Sequence, residues 1–364
     1  MPTDLLEGKT LESRPRLKAT CIKLHDIALE LGPEAKLPTM AELRDELEVS
    51  TYTLNAAIRE LERRQVLRSV NGVGIYVTRR KKMLTGNIGI LGSASFHQPQ
   101  MDYYNLFMRG MEKAAMLNKQ HFLFLGTEKT WDVRSCEKVD GIIIAGANQV
   151  EPVIRQIPAA LPIVTALTAT KNTPSVTVDD YQGAKLAVQY LHQKKHRRIA
   201  CLMEELPVLS RRRFAGYQDA LLEESIHAKP EWIRLTSSVD VTKEDRPYLT
   251  WGREQMKSWL HQGWRETGCT AIFVQNETAA IGVMQILQEE NIKVPEQVSI
   301  IGFDGTQLCD YVSPRLCAVE IPLADIGAKS MELLNQQIIN NEARPSSMVL
   351  PLRIREGASV APLP

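Results

Sequence analysis

The residues of this 364-residue chain that could do chemistry are few, and their spacing limits them further. His192 and His196 stand four apart, a spacing that can put two imidazoles on one helix face for a metal. His196, however, falls where a helix gives way to a strand, so no metal site is expected. Cys21, Cys136, Cys201, Cys269, Cys309 and Cys317 form no Cys-x-x-Cys pair and lie mostly in apolar runs, as reduced, buried thiols do in the cytoplasm. No serine or cysteine sits in a recognised nucleophile motif. No glycine-rich loop with a lysine follows a strand, and no helix follows Gly72-Val73-Gly74 as a nucleotide loop would need. Catalytic residues, cofactor and metal are therefore all assigned as none. What does stand out is charge: residues 57–82 carry eight bases against two acids, although the whole chain is only +1. Such a stretch attracts phosphate over roughly 10 Å at moderate salt, or is simply a solvated segment.

The elements around that stretch are legible. Leu17, Cys21, Leu24, Ala28 and Leu31 repeat at helical spacing up to Gly32-Pro33. Thr39 with Glu42 forms a capping box for a second helix to about Leu47. Ser50 caps a third, reaching about Arg64, with Leu54, Ala57, Ile58 and Leu61 inward. Asn71-Gly72 between two apolar runs predicts a hairpin. Three helices and a hairpin in this space make a winged helix-turn-helix over residues 14–78. It is preceded by a flexible tail, 1–13, and followed by a basic, protease-sensitive linker, 79–86.

From Asn87 the pattern alternates short apolar runs (88–91, 122–125, 141–145, 163–167, 199–203, 271–274, 298–302) with helical stretches (104–117, 180–193, 210–225, 276–290, 323–340). This predicts an α/β, doubly wound parallel sheet, with ligands at the carboxyl ends of the strands. Residues 87–364 are too many for one such sheet, so two lobes are expected. No run is long and apolar enough to span a membrane, and no signal peptide is evident at the N-terminus.

Two family resemblances add to this reading. Leu37-Pro38-Thr39, Leu43, Leu47, Ser50, Leu54, Ala57, Leu61 and Gly72-Val73-Gly74-Ile75-Tyr76 resemble the GntR-type winged helix. That resemblance implies DNA contact through Thr39, Ser50, Thr51, Thr53, Asn55, Arg59, Gly72 and Gly74. The family often has arginine where this chain has Ala41, Thr51 and Asn55, and a basic wing residue where it has Val73. Arg59, Arg63, Arg64 and Arg68 either compensate or form a solvated face. The rest resembles LacI/GalR-type sensor domains, kin of periplasmic sugar-binding proteins. It does so through Val139-Asp140-Gly141, Val178-Asp179-Asp180-Tyr181, His196-Arg197-Arg198-Ile199, Arg213-Phe214-Ala215-Gly216-Tyr217, Phe273-Val274-Gln275-Asn276 and Val294-Pro295 to Gly302-Phe303-Asp304. The combination is similar to arabinose-repressor-type transcriptional regulators.

The second resemblance implies lobes of about 87–178 with 321–347, and 179–320 with 348–364. It implies an effector cleft lined by Tyr103, Tyr104, Arg213, Asn276, Asp304 and Glu320. A guanidinium fork, carboxylate acceptors and aromatic faces suit a monosaccharide or related polyol. Other roles stay open: core packing for the two tyrosines, a helix cap for Asn276. Glu277 stands where the family has Asp, Lys195 where it has Gly, and Leu167-Thr168 where sugar binders carry an acidic-basic pair. The expected function is a cytoplasmic, homodimeric repressor that binds a double-stranded operator and responds to a sugar. A transport receptor and an enzyme on the same scaffold are the rivals.

Overall fold

The computed structural model describes residues 15–32, 34–63, 66–78, 84–92, 102–127, 129–146, 150–205, 208–237, 239, 247–340 and 347–363. The tail 1–13, Arg64 and the basic run Arg79–Lys82 lie outside them. The chain forms two compact units, divided between Leu84 and Thr85.

The first unit holds helices α1 (Pro15–Leu31), α2 (Met40–Leu47) and α3 (Thr51–Arg63), then strands β1 (Leu67–Val70) and β2 (Gly74–Val77). Cys21, Leu24, Leu43, Leu54, Ala57 and Leu61 meet in its core, and burying such a set is what holds so small a unit together. Thr39 accepts from the Glu42 N–H while the Glu42 carboxylate accepts from the Thr39 N–H, so the capping box forms. The strands pair antiparallel, Leu67 opposite Val77 and Val70 opposite Gly74. Lys36 makes a single bridge to Tyr76. It passes so close over the wing that a Cβ on Gly74 would lie 2.6 Å from Lys36 Cε.

The second unit is α/β and has two six-stranded sheets. One contains β3 (Asn87–Gly92), β4 (His121–Thr127), β5 (Gly141–Ala145), β6 (Ile163–Ala166), β7 (Ser175–Val178) and β13 (Ser347–Leu350), all parallel, in the order 13-7-6-5-3-4. The other contains β8 (Ile199–Glu204), β9 (Ile233–Thr236), β10 (Ala271–Val274), β11 (Ser299–Asp304), β12 (Cys317–Glu320) and β14 (Arg353–Arg355), in the order 14-12-11-10-8-9, with only β14 antiparallel. Helices α4 (Asp102–Leu117) and α10 (Leu323–Asn340) pack together in the first lobe, while α6 (Asp180–Gln193), α7 (Val208–Glu223), α8 (Pro247–His261) and α9 (Glu277–Glu289) serve the second. A short helix, α5, covers Val150–Ile154. The chain passes between lobes after Val178, Glu320 and Leu350. The last passage comes three residues later than 347, because Ser347–Leu350 pairs with β7 rather than joining the second lobe. Between β4 and β5 the sequence leaves room only for a 3-10 segment, Val133–Lys138.

Helices α6 and α7 touch at Gly216, where a Cβ would lie 2.2 Å from the Tyr181 carbonyl oxygen. Backbone cannot give way as a flexible side chain can. Gly216→Ala is therefore expected to cost about 1–3 kcal/mol, read as a fall in melting temperature.

Candidate functional site

On the first unit, α3 is amphipathic: Leu54, Ala57, Ile58 and Leu61 are buried, while Thr51, Tyr52, Asn55 and Arg59 are exposed. Not every residue assigned to DNA is free. Ser50 Oγ accepts from the Thr53 N–H at 3.2 Å and shares a 2.9 Å hydrogen bond with Thr53 Oγ1. The Thr39 hydroxyl donates to the Glu42 carboxylate at 2.8 Å. Arg63 pairs with Glu60 at 2.7 Å and Arg68 with Glu34 at 2.9 Å, the latter guanidinium also 5.0 Å from the Tyr76 ring centre. Arg59 has no ion-pair partner among the described residues. Gly72 and Gly74 take φ of +73° and +142°, so the wing turns as glycine allows.

In the second unit, four of the six residues assigned to the effector come together. Arg213 on α7 is buried. Its Nε donates to Asp180 Oδ1 at 2.8 Å, its Nη1 donates to the Gln275 carbonyl, and its Nη2 lies 3.8 Å from Asp304 Oδ1. The guanidinium carbon stands 3.6 Å from the Phe303 ring centre, a stacked position that fixes the fork. Asp304 ends β11 with φ of +92°, where the strand's carboxyl end opens onto the cleft. Burial pushes its carboxyl up to about 7, against the pull of Arg213 and with the help of Glu277. Tyr103 and Tyr104 meet edge to face, centroids 5.2 Å apart. Burial, then the nearby Asp304 and Tyr104, holds the Tyr103 hydroxyl well above the usual phenol range. Tyr104 is itself buried, its ring part of the lobe core, as the packing alternative had it.

The other two are spent elsewhere. Asn276 Oδ1 accepts from the Ala279 N–H at 2.8 Å and caps α9. Glu320 holds Arg353 through two hydrogen bonds, 2.7 and 3.1 Å. Glu320 still borders the region: with Leu106, Asp304, Thr306 and Arg353 it lines a cavity of about 390 Å³.

Several further groups at the site were not assigned to it from the sequence. Gln275 accepts from the Glu204 N–H at 2.7 Å and from Ser210 Oγ at 3.0 Å, and donates to Glu204 Oε2 at 2.7 Å. Burial raises the Glu204 carboxyl. Glu277 accepts from the Thr306 N–H at 2.7 Å and the Thr306 hydroxyl at 2.5 Å, so the longer acid ties down the loop after Asp304. Burial, then Glu204, Tyr104 and Asp304, raises the Tyr248 hydroxyl at the start of α8. The two histidines part company: His192 faces Glu224 at 3.1 Å, while His196 bridges Thr270 Oγ1 and the Ala361 carbonyl at 2.9 and 3.0 Å.

A two-lobed parallel sheet with its strand ends at a cleft, joined to a winged helix, defines a sensor linked to a DNA reader. Comparison with known proteins agrees. Residues 24–77 match the bacterial regulatory proteins of the gntR family, and residues 188–360 match the periplasmic binding protein-like domain. Catabolite control protein A of Priestia megaterium is 31% identical over 265 residues, 69% of this chain and 76% of that protein. The Arabinose metabolism transcriptional repressor of Geobacillus stearothermophilus is 24% identical over 353 residues, 92% of this chain and 93% of that protein. A LacI family transcriptional regulator from Enterococcus faecium, solved with bound ribose, shares the fold at a TM-score of 0.62 and 23% identity, over 76% of this chain and all of that one. The chain belongs to the LacI family of transcriptional regulators, with a gntR-type DNA-binding domain at its N-terminus.

Proposed function

We propose that this regulator is a cytoplasmic, homodimeric repressor of carbohydrate-utilisation genes, without enzymatic activity, whose operator affinity is changed by a monosaccharide or related polyol. The DNA reader occupies residues 14–78, the linker 79–86 and the sensor 87–364. The observation that carries the sugar reading is Arg213, stacked on Phe303 and 3.8 Å from Asp304, with Tyr103 nearby. It offers a fork donor, an acceptor and an aromatic face together, which is what a polyol ring needs. Asn276 and Glu320 contribute by holding the site's edges, and Tyr104 by packing behind Tyr103. Further support comes from the relative named for arabinose metabolism and the ribose-bound neighbour. Effector seated between the lobes favours their closed form, and closure shifts the operator-binding equilibrium. A two-fold dimer would call for a palindromic operator.

The test is a thermal-shift screen of pentoses, hexoses and their alcohols against the full chain. At least one is expected to raise the melting temperature, by linkage. A screen without any shift, repeated with nucleosides that do give one, would replace the sugar reading.

A further inference from the structure

The first turn of α3 has fewer free hydroxyls than its composition suggests, since Ser50 and Thr53 are tied to each other. What stands clear is a stripe. Tyr52, Asn55 and Arg59 follow one another at three- and four-residue spacing, away from the buried Leu54, Ala57, Ile58 and Leu61. Tyr52 is the bulkiest of the three and 78% exposed. Among the described residues no hydrogen bond or ring contact engages it. Four buried aliphatic side chains already complete the inner face of the helix, so the Tyr52 ring adds nothing to that core. Its apolar surface gains only when a partner removes water from it.

In a major groove one base offers a matching apolar group: thymine, through its C5-methyl. Asn55, one turn on, can supply a hydrogen-bonding amide to an adjacent base edge, and Arg59 a charge to the phosphates. We propose that Tyr52 packs its ring on the C5-methyl of a thymine at a fixed place in each operator half-site. It is then a specificity-determining residue that composition and family pattern did not single out. This rests on the reading of the chain as a DNA-binding regulator.

The test uses the full chain and duplexes it selects from a randomised pool. Each thymine of a selected duplex is replaced in turn by deoxyuridine, which removes the methyl alone. For the parent chain and for Tyr52→Phe, one replacement per half-site should weaken binding roughly fourfold, the value of one buried apolar carbon. Tyr52→Ala should bind more weakly and be indifferent to that same replacement, with an unchanged melting temperature because the side chain is exposed. Equal sensitivity in Tyr52→Ala overturns the inference, as does the absence of any sensitive thymine. So does a Tyr52→Phe loss matching that of Tyr52→Ala, which would make the hydroxyl the contact. A chain that selects no duplex, with or without sugars, refutes the regulator reading itself.

Discussion

Arg213→Ala should abolish the effector's effect on melting temperature and also lower the ligand-free stability by about 3–5 kcal/mol, the cost of breaking a buried ion pair. Arg213 and Asp180 have side chains only 9% and 6% exposed, so neither partner can turn to water when the other is removed. The substitution strips a donor from Asp180 and from the Gln275 carbonyl, removes the positive charge beside Asp304 and uncovers the Phe303 ring. Lysine keeps the charge but cannot reach two carboxylates and stack at once, so Arg213→Lys should be intermediate in stability and still fail to respond. Arg213→Met with Asp180→Asn removes both charges. That pair should recover much of the stability and none of the response, which separates a site lost from a fold lost. Thermal unfolding with and without the active sugar reads both effects. A parent-like response in Arg213→Ala would take Arg213 out of the site.

Asp304→Asn should move stability in the opposite direction. The Asp304 carboxyl is raised to about 7 in the folded chain, first by burial. It therefore binds its proton more tightly folded than unfolded. Its contribution to stability is full below its ordinary value near 4 and is lost as pH rises through 7. Asparagine cannot ionise and tolerates the left-handed backbone that Asp304 adopts. The ligand-free variant should match the parent only near pH 4 and gain on it by roughly 2–3 kcal/mol between pH 5 and pH 8. The same change withdraws a charged acceptor, so effector affinity should fall about ten- to a hundredfold. Denaturant unfolding at the two pH values, with an effector titration at one, checks the pair of effects. A variant less stable than the parent at pH 8 would show that the carboxylate holds the fold instead of waiting for a ligand.

Local rules made much of the molecule legible from its sequence. The capping box at Thr39, the inward stripe of α3 and the Asn71-Gly72 turn each depend on neighbours a few residues apart. The strand-helix alternation after Asn87 gave the parallel sheets, and Arg213 and Asp304 announced themselves by their place in family blocks. Strands β7, β9, β12, β13 and β14 did not: none stands out locally as an apolar run, and each draws its stability from its sheet. Asp180 and Gln275 stand in family blocks too, but their roles, like that of Glu204, were not assigned: their partners lie 33 to 71 residues away, and no spacing rule reaches so far. Asn276 and Ser50 carried two signals at once, a polar group near a site and a helix cap, and their hydrogen bonds go to the caps. Glu320 could not be separated from Arg353, since the pairing exists only once β12 and β14 are side by side.

Coupling between the cleft and the DNA reader is the central claim, and one titration addresses it. The full chain is bound to a labelled operator duplex and its affinity measured by fluorescence anisotropy, without effector and at saturating effector, for the parent and for Arg213→Met with Asp180→Asn. The expected result is a change of about 5- to 150-fold in the parent, the usual range of allosteric coupling, and none in the double variant. Operator affinity that stays within about twofold while the cleft is saturated would contradict it, because a ligand with no differential effect on the two states shifts nothing.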